Sequence, residues 1–210
     1  MKNEYKTKLL LSLLLTLLPT AAGLLLWGRL PAEIAVHFDS QGIADGFAPK
    51  ALAVFGLPVL LAVIQFFTVF VTVNSPKHQN IGRHMLGLTF WIVPIISLVV
   101  MGSVFAIALG CALDPVSVTY ALLGILFLFM GNYMSKTHQN YTVGIKLPWT
   151  LNSTENWNKT HRLASVLWFV GGILFLLNLF FKQIWLIPAV IAVLVIVPVF
   201  YSYSLYKKGI

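Results

Sequence analysis

Six stretches of the chain are almost wholly apolar, at 9–27, 51–73, 87–110, 118–134, 163–181 and 185–205. None has Asp, Glu, Lys, Arg or His in its interior. Each is near the roughly 20 residues that a helix needs to cross a hydrocarbon core of about 30 Å. The fourth is the shortest, and Asn132 and Tyr133 extend it into the interface. The pattern predicts an all-α membrane protein, a bundle of six transmembrane helices. Pro58, Pro94, Pro188 and Pro198 fall inside these stretches, where helices tolerate proline if neighbours re-satisfy the freed carbonyls. The first stretch follows Lys2, Lys6 and Lys8 and ends near "PTAAG", which is similar to a cleavable signal peptide. Its apolar run continues to Trp27, which predicts an uncleaved first helix.

Composition sharpens this picture. Of 210 residues, 59% are hydrophobic and 10% charged, against about half and a quarter in soluble domains. A water-soluble globular fold is excluded. The net charge of +8 is not a sign of direct nucleic-acid binding here, because in a membrane protein the distribution of Lys and Arg sets orientation. With the amino terminus in the cytoplasm, eleven cations lie inside and only Arg29, Lys50 and Lys182 outside. Both termini are then cytoplasmic. The single Cys111 allows no intramolecular disulfide and no thiol metal site, and it is expected as a small buried residue. No cofactor and no metal is expected, and nothing divides 1–210 into more than one membrane domain.

Two connectors stand out, an outer one at 28–50 and an inner one at 135–161. The outer one reads "LPAEIAVHFDSQGIADGFAPK". Leu30-Pro31 ends the first helix; Ile34, Val36 and Phe38 alternate as an extended segment. Gly42 and Asp45-Gly46 are turn signals, and the segment is expected to fold onto the helix ends as a cap. His37, Asp39 and Asp45 have three readings. They form a wet loop whose histidine bonds to a carboxylate; His37 serves recognition or proton sensing; or they ligate a metal, although their spacing matches no standard site.

In the inner connector, Pro148 predicts extended backbone at "VGIKLP". Asn152 with Glu155 three positions later is a helix-start pattern. That helix puts Trp157, His161, Ala164 and Trp168 on one face. Trp149 and Trp157 suit the headgroup layer, where Lys146, Lys159 and Arg162 meet lipid phosphates. His78, Arg83 and His84 form a short basic loop on the same side, solvated and orienting, with a secondary candidacy for partner contact.

The two connectors resemble those of the SdpI family, bacterial membrane proteins named for immunity to a sporulation-delaying peptide toxin. The resemblance rests on Gly131-Asn132, Asn140, Gly144-Ile145-Lys146, Pro148-Trp149-Thr150, Trp157 and His161-Arg162 inside, and on Leu30-Pro31, His37, Gly42 and Asp45-Gly46 outside. Lys146 stands where the family usually has Arg, which removes a bidentate fork. The resemblance implies an amino-terminal family domain over 1–75 and an SdpI-type region over 118–205. It also implies a multi-pass protein of the bacterial cell membrane that gives resistance to a membrane-active peptide toxin, and a small cytoplasmic DNA-binding repressor as a further partner. Candidate toxin-facing residues are His37, Asp39, Gly42 and Asp45. Candidate inner contacts are Asn132, Asn140, Gly144, Lys146, Pro148, Trp149, Thr150, Trp157, His161 and Arg162. Membrane lipids are expected partners of the whole bundle.

Two other classes compete. A membrane enzyme or a binder of lipid headgroups or isoprenoid phosphates would use His138, Asn140, Lys146, Glu155 and His161, but no nucleophile–base or zinc motif is present. A coupled transporter would need ionisable groups near the bilayer midplane. The stretches offer only Gln65, Asn178 and hydroxyls, which are expected to serve as helix–helix hydrogen bonds.

Overall fold

A computed structural model describes residues 2–210. Helix α1 spans Asn3–Leu25, and a hairpin of β1 (Glu33–Phe38) and β2 (Ala44–Pro49) follows. A π-helical turn at Leu52–Gly56 runs into α2 (Leu57–Asn74), and a 3-10 turn at His78–Asn80 leads to α3 (Arg83–Ala108). Then come α4 (Pro115–Met134), the short α5 (Pro148–Asn152), α6 (Thr154–Phe181) and α7 (Leu186–Lys207). Six of these helices are long and apolar enough to cross a membrane: Asn3–Leu25, Leu52–Asn74, Arg83–Ala108, Pro115–Met134, Thr154–Phe181 and Leu186–Lys207. The chain is a multi-pass membrane protein. Two compact units are present, one of residues 1–70 with 88–119 and one of 71–87 with 120–210.

In the first unit, Leu30, Ile34, Ala53, Val54, Met101, Val104 and Phe105 form the apolar core. A buried polar seam runs beside it. Ser97 Oγ donates to Thr16 O at 2.8 Å, and Thr16 Oγ1 donates to Ser12 O at 2.8 Å. Gln65 Nε2 donates to Ser12 Oγ at 3.0 Å and to Phe90 O at 2.8 Å. Phe90 is four residues before Pro94, so its carbonyl is the one that the proline leaves without a helical donor. Gln65 supplies the missing donor. Thr20 Oγ1 does the same for Val54 O, at 3.0 Å, four residues before Pro58. The sequence-based expectation for Gln65 and for these prolines holds, and the structure names the rescuing side chains.

In the second unit, α4 and α6 meet at a seam of small residues. A Cβ at Gly172 would lie 2.6 Å from Leu128 N, one at Gly124 would lie 3.1 Å from Gly172 O, and one at Gly131 would lie 2.8 Å from Phe169 Cα. Ser165 Oγ donates to Gly131 O across the same seam. Backbones this close gain dispersion and polar contact that larger residues would block. Trp168 Nε1 reaches Leu194 O, freed by Pro198, at 3.4 Å. Asn178 does not bridge helices as expected. Its side chain accepts from Gln183 N and donates to Gln183 O, both at 3.0 Å, closing the turn after α6. Cys111 is exposed rather than buried, in the turn after α3.

Candidate functional site

The hairpin is built from the turn outward. Asp39 Oδ1 accepts from Gln41 N at 2.8 Å and from Ile43 N at 2.9 Å, and Gly42 takes a φ of 82°. This is where the chain reverses. Asp45-Gly46 carries a turn pattern in sequence but lies within β2, because the Asp39 carboxylate nucleates the reversal first. The strands pair antiparallel with Ile34 opposite Ala48 and Ala35 opposite Phe47. Ile34 and Ala48 point into the first unit's core, and Lys50 Nζ donates to Trp27 O and Leu30 O, both at 2.9 Å. The hairpin therefore caps its helix ends, as expected. His37 Nδ1 and Asp45 Oδ1 lie 2.5 Å apart on the exposed surface. Ile43 and Phe47 are exposed beside them. Sequence reasoning passed over these two, although an isoleucine and a phenylalanine inside a polar connector are a visible signal.

The long connector has no sheet. Its backbone is held by buried side chains. Asn140 Nδ2 donates to His138 O and Val143 O, both at 2.9 Å; Asn140 Oδ1 accepts from Thr142 N at 2.9 Å and Val143 N at 2.8 Å. Every hydrogen and lone pair of the amide is used. Gly144 has a φ of 121°, and a Cβ there would overlap His161 Nε2 and lie 3.0 Å from the Trp157 ring. Only glycine lets the chain pass that close.

His161 is buried. Its Nε2 accepts from Ile145 N at 3.0 Å, and its Nδ1 faces Trp157 O at 2.8 Å. A carbonyl only accepts, so the ring hydrogen sits on Nδ1 and both nitrogens are engaged. The ring stacks on Trp157 with centroids 3.9 Å apart. Trp157 is itself fully buried and donates to Thr137 O at 2.8 Å. It is a core residue of the connector, not a headgroup anchor. Trp149 is half-buried, donating to Ser202 Oγ at 2.9 Å and stacking on Tyr206. A cavity of about 440 Å³ opens there, lined by Pro148, Trp149, Asn152, Ser153 and Tyr206 among others.

Thr150 Oγ1 accepts from Leu147 N at 2.9 Å and donates to Ile145 O at 2.8 Å, tying α5 to the extended strip before it. Leu147 is extended (ψ 153°), as the following proline demands. The cap of α6 is Ser153, whose Oγ accepts from Asn156 N at 3.2 Å, one residue later than the Asn152 expected. Glu155 pairs with Lys159 at 2.7 Å instead of reaching back. Ser153 is itself extended (φ −130°, ψ 118°), which ends α5 after one short turn and places the cap of α6 on Ser153.

The structure thus sorts the inner candidates. Asn140, Thr150, Trp157 and His161 are buried, and Gly144 lies against them. Asn132, Lys146, Pro148 and Arg162 are exposed. The short loop at 75–82 joins this face: His138 N donates to Asn80 O at 2.9 Å, and Asn80 Nδ2 donates to Gln139 O at 2.8 Å. Gln139 Nε2 in turn bonds Thr150 O and Leu151 O at 2.9 and 2.8 Å. Sequence reasoning missed Gln139 because nothing in a lone glutamine announces a bridge between two loops.

The SdpI/YfhL protein family matches residues 136–202, the stretch just described from Lys136 into α7. A domain of unknown function, DUF1648, matches residues 14–62, which include the hairpin. The immunity protein SdpI of Bacillus subtilis strain 168 is 26% identical over 204 residues, covering 96% of this chain and 97% of the relative. The chain is thus similar to SdpI-type immunity proteins, over 136–202 by family model and nearly end to end by the Bacillus subtilis relative. No solved structure matches it. Within the matched region, Asn140, Gly144, Thr150, Trp157 and His161 hold the connector's backbone, and just before it Gly131 lets α4 and α6 pack closely.

Proposed function

We propose that this protein confers immunity on the cell that carries it, against a membrane-active peptide toxin. The observation that carries the reading is the end-to-end similarity to an immunity protein, which includes both connectors. The charge distribution supports an orientation with both termini in the cytoplasm, eleven cations inside against three outside. In that orientation the hairpin faces the environment. It meets the toxin through His37, Asp45 and the exposed Ile43 and Phe47, with Asp39 and Gly42 setting the turn that presents them.

In this reading the long connector meets a cytoplasmic partner, and the family resemblance supports a small DNA-binding repressor in that role. Asn132, Lys146, Pro148, Trp149 and Arg162 make that contact. Asn140, Gly144, Thr150, Trp157 and His161 shape it without touching the partner. No observation favours a membrane enzyme on this face. Of its candidate acid–base set, Asn140 and His161 are buried with their polar atoms already bonded, and Glu155 is paired with Lys159.

Deleting the gene and challenging cells with a panel of membrane-active peptides tests the reading. Sensitivity to at least one peptide is expected to rise and to be restored by the intact gene. Unchanged sensitivity across the panel overturns it. Alanine substitutions at exposed hairpin positions should remove protection, and those at Lys146 and Arg162 should alter the transcriptional response while protection persists.

A further inference from the structure

We propose that the start of α3, with the connector segment packed against it, binds a phosphate-type oxyanion. The proposal does not rest on the immunity reading. Helix α3 begins at Arg83, and Leu86 N donates to Gly82 O at 2.9 Å, which makes Gly82 the capping position. A helix start leaves its first amides without intrahelical acceptors, and a capping side chain normally supplies one. Ser153 does so for α6 and Asp114 for α4, where its Oδ1 accepts from Val116 N at 3.0 Å. Glycine has no side chain to do so for Arg83, His84 and Met85. A larger residue does not fit either, because a Cβ at Gly82 would lie 2.9 Å from Lys136 O.

The Thr137 hydroxyl lies beside the same helix start, 3.6 Å from that Cβ position. Thr137 is buried, and its Oγ1 has no hydrogen-bond partner. Buried polar atoms are normally paired, and an orphan marks a missing water or ion. The charges at hand choose between them. Arg83 is exposed, and the Lys136 ammonium sits 4.6 Å from the Tyr133 ring centroid. His84 stacks on the same ring at 4.4 Å. Residues 71–87 and 120–154 contain no Asp or Glu, and the unit's single carboxylate side chain, Glu155, is paired with Lys159.

A helix start without a capping side chain, an unpaired hydroxyl and neighbouring cations together match the acceptor oxygens of a phosphate. The site lies at the end of a membrane-crossing helix, where lipid phosphates sit. An anionic headgroup and free phosphate share this chemistry.

The full-length protein in mild detergent tests the site. Thermal unfolding is followed with inorganic phosphate alone, with phosphatidylglycerol micelles and with phosphatidylcholine micelles. Phosphatidylglycerol is expected to raise Tm and phosphatidylcholine to leave it unchanged. Arg83→Gln and Thr137→Val should each raise the half-saturating concentration about tenfold, the loss of one charge-assisted hydrogen bond. Thr137→Ser should retain binding, and Lys207→Gln should stay within about twofold of wild type. Lys136→Gln stands in for Arg83→Gln if the latter does not fold. A response to inorganic phosphate with the same variant pattern assigns the site to soluble phosphate. The proposal is overturned if neither anion raises Tm, if Thr137→Val binds like wild type, or if Lys207→Gln weakens binding as much as Arg83→Gln.

Discussion

The hairpin and the long connector are both polar interruptions in an oily chain, yet they are held in opposite ways. In the hairpin, strand pairing and the Asp39 turn fix the backbone, and the facing pair Ile34 and Ala48 docks it. Its characteristic residues, His37 and Asp45, remain on the surface. In the connector there is no ladder, so side chains do the backbone's bonding: Asn140, Thr150, Trp157 and His161 are each spent on main-chain partners. A motif residue therefore means two different physical things in one protein. In the hairpin it is a surface offered outward; in the connector it is the support behind a surface.

The comparison breaks most visibly at Gly144. Gly144→Ala forces a Cβ into His161 and a strained φ, and should cost about 3 kcal/mol or more; an unchanged denaturation midpoint in detergent would refute the supporting role given to this strip. His161→Ala follows, at about 2–4 kcal/mol, since it opens a cavity and strands the Ile145 amide. Equilibrium unfolding measures it, and a loss under about 0.5 kcal/mol would mean that the ring is dispensable. Trp157→Phe keeps most of the packing but leaves Thr137 O without its donor, about 1–2 kcal/mol; comparing it with wild type by the same unfolding curve isolates that bond. His37→Ala comes last. Its hydrogen bond with Asp45 is largely solvent-exposed, worth about 0–1 kcal/mol. The same substitution should nevertheless reduce protection in the peptide-challenge assay. A large loss of stability with protection intact would invert the contrast between the two regions.

Much of the local plan was legible. Leu147 is extended because of Pro148, and Trp157, His161 and Ala164 share a buried face because of helical periodicity. The misreadings share one cause. Asp45-Gly46 has the composition of a turn, but Asp39 captured two amides first. Asn152 has the spacing of a cap, but α5 consumed it and left Ser153 to cap α6. Trp157 has the amphipathic character of an interface anchor, but Thr137 O offered its indole a buried acceptor. In each case two local signals competed, and a partner distant in sequence or a neighbouring element chose the winner.

The sequence alone determined six membrane-crossing helices, the charge asymmetry and the positions of both connectors, because oil–water partitioning and helix period act on short windows. Which side chains face outward and which support the backbone was decided only by tertiary structure. Burial and hydrogen-bond pairing depend on residues brought together across long separations, such as Gln65 with the carbonyl that Pro94 leaves open.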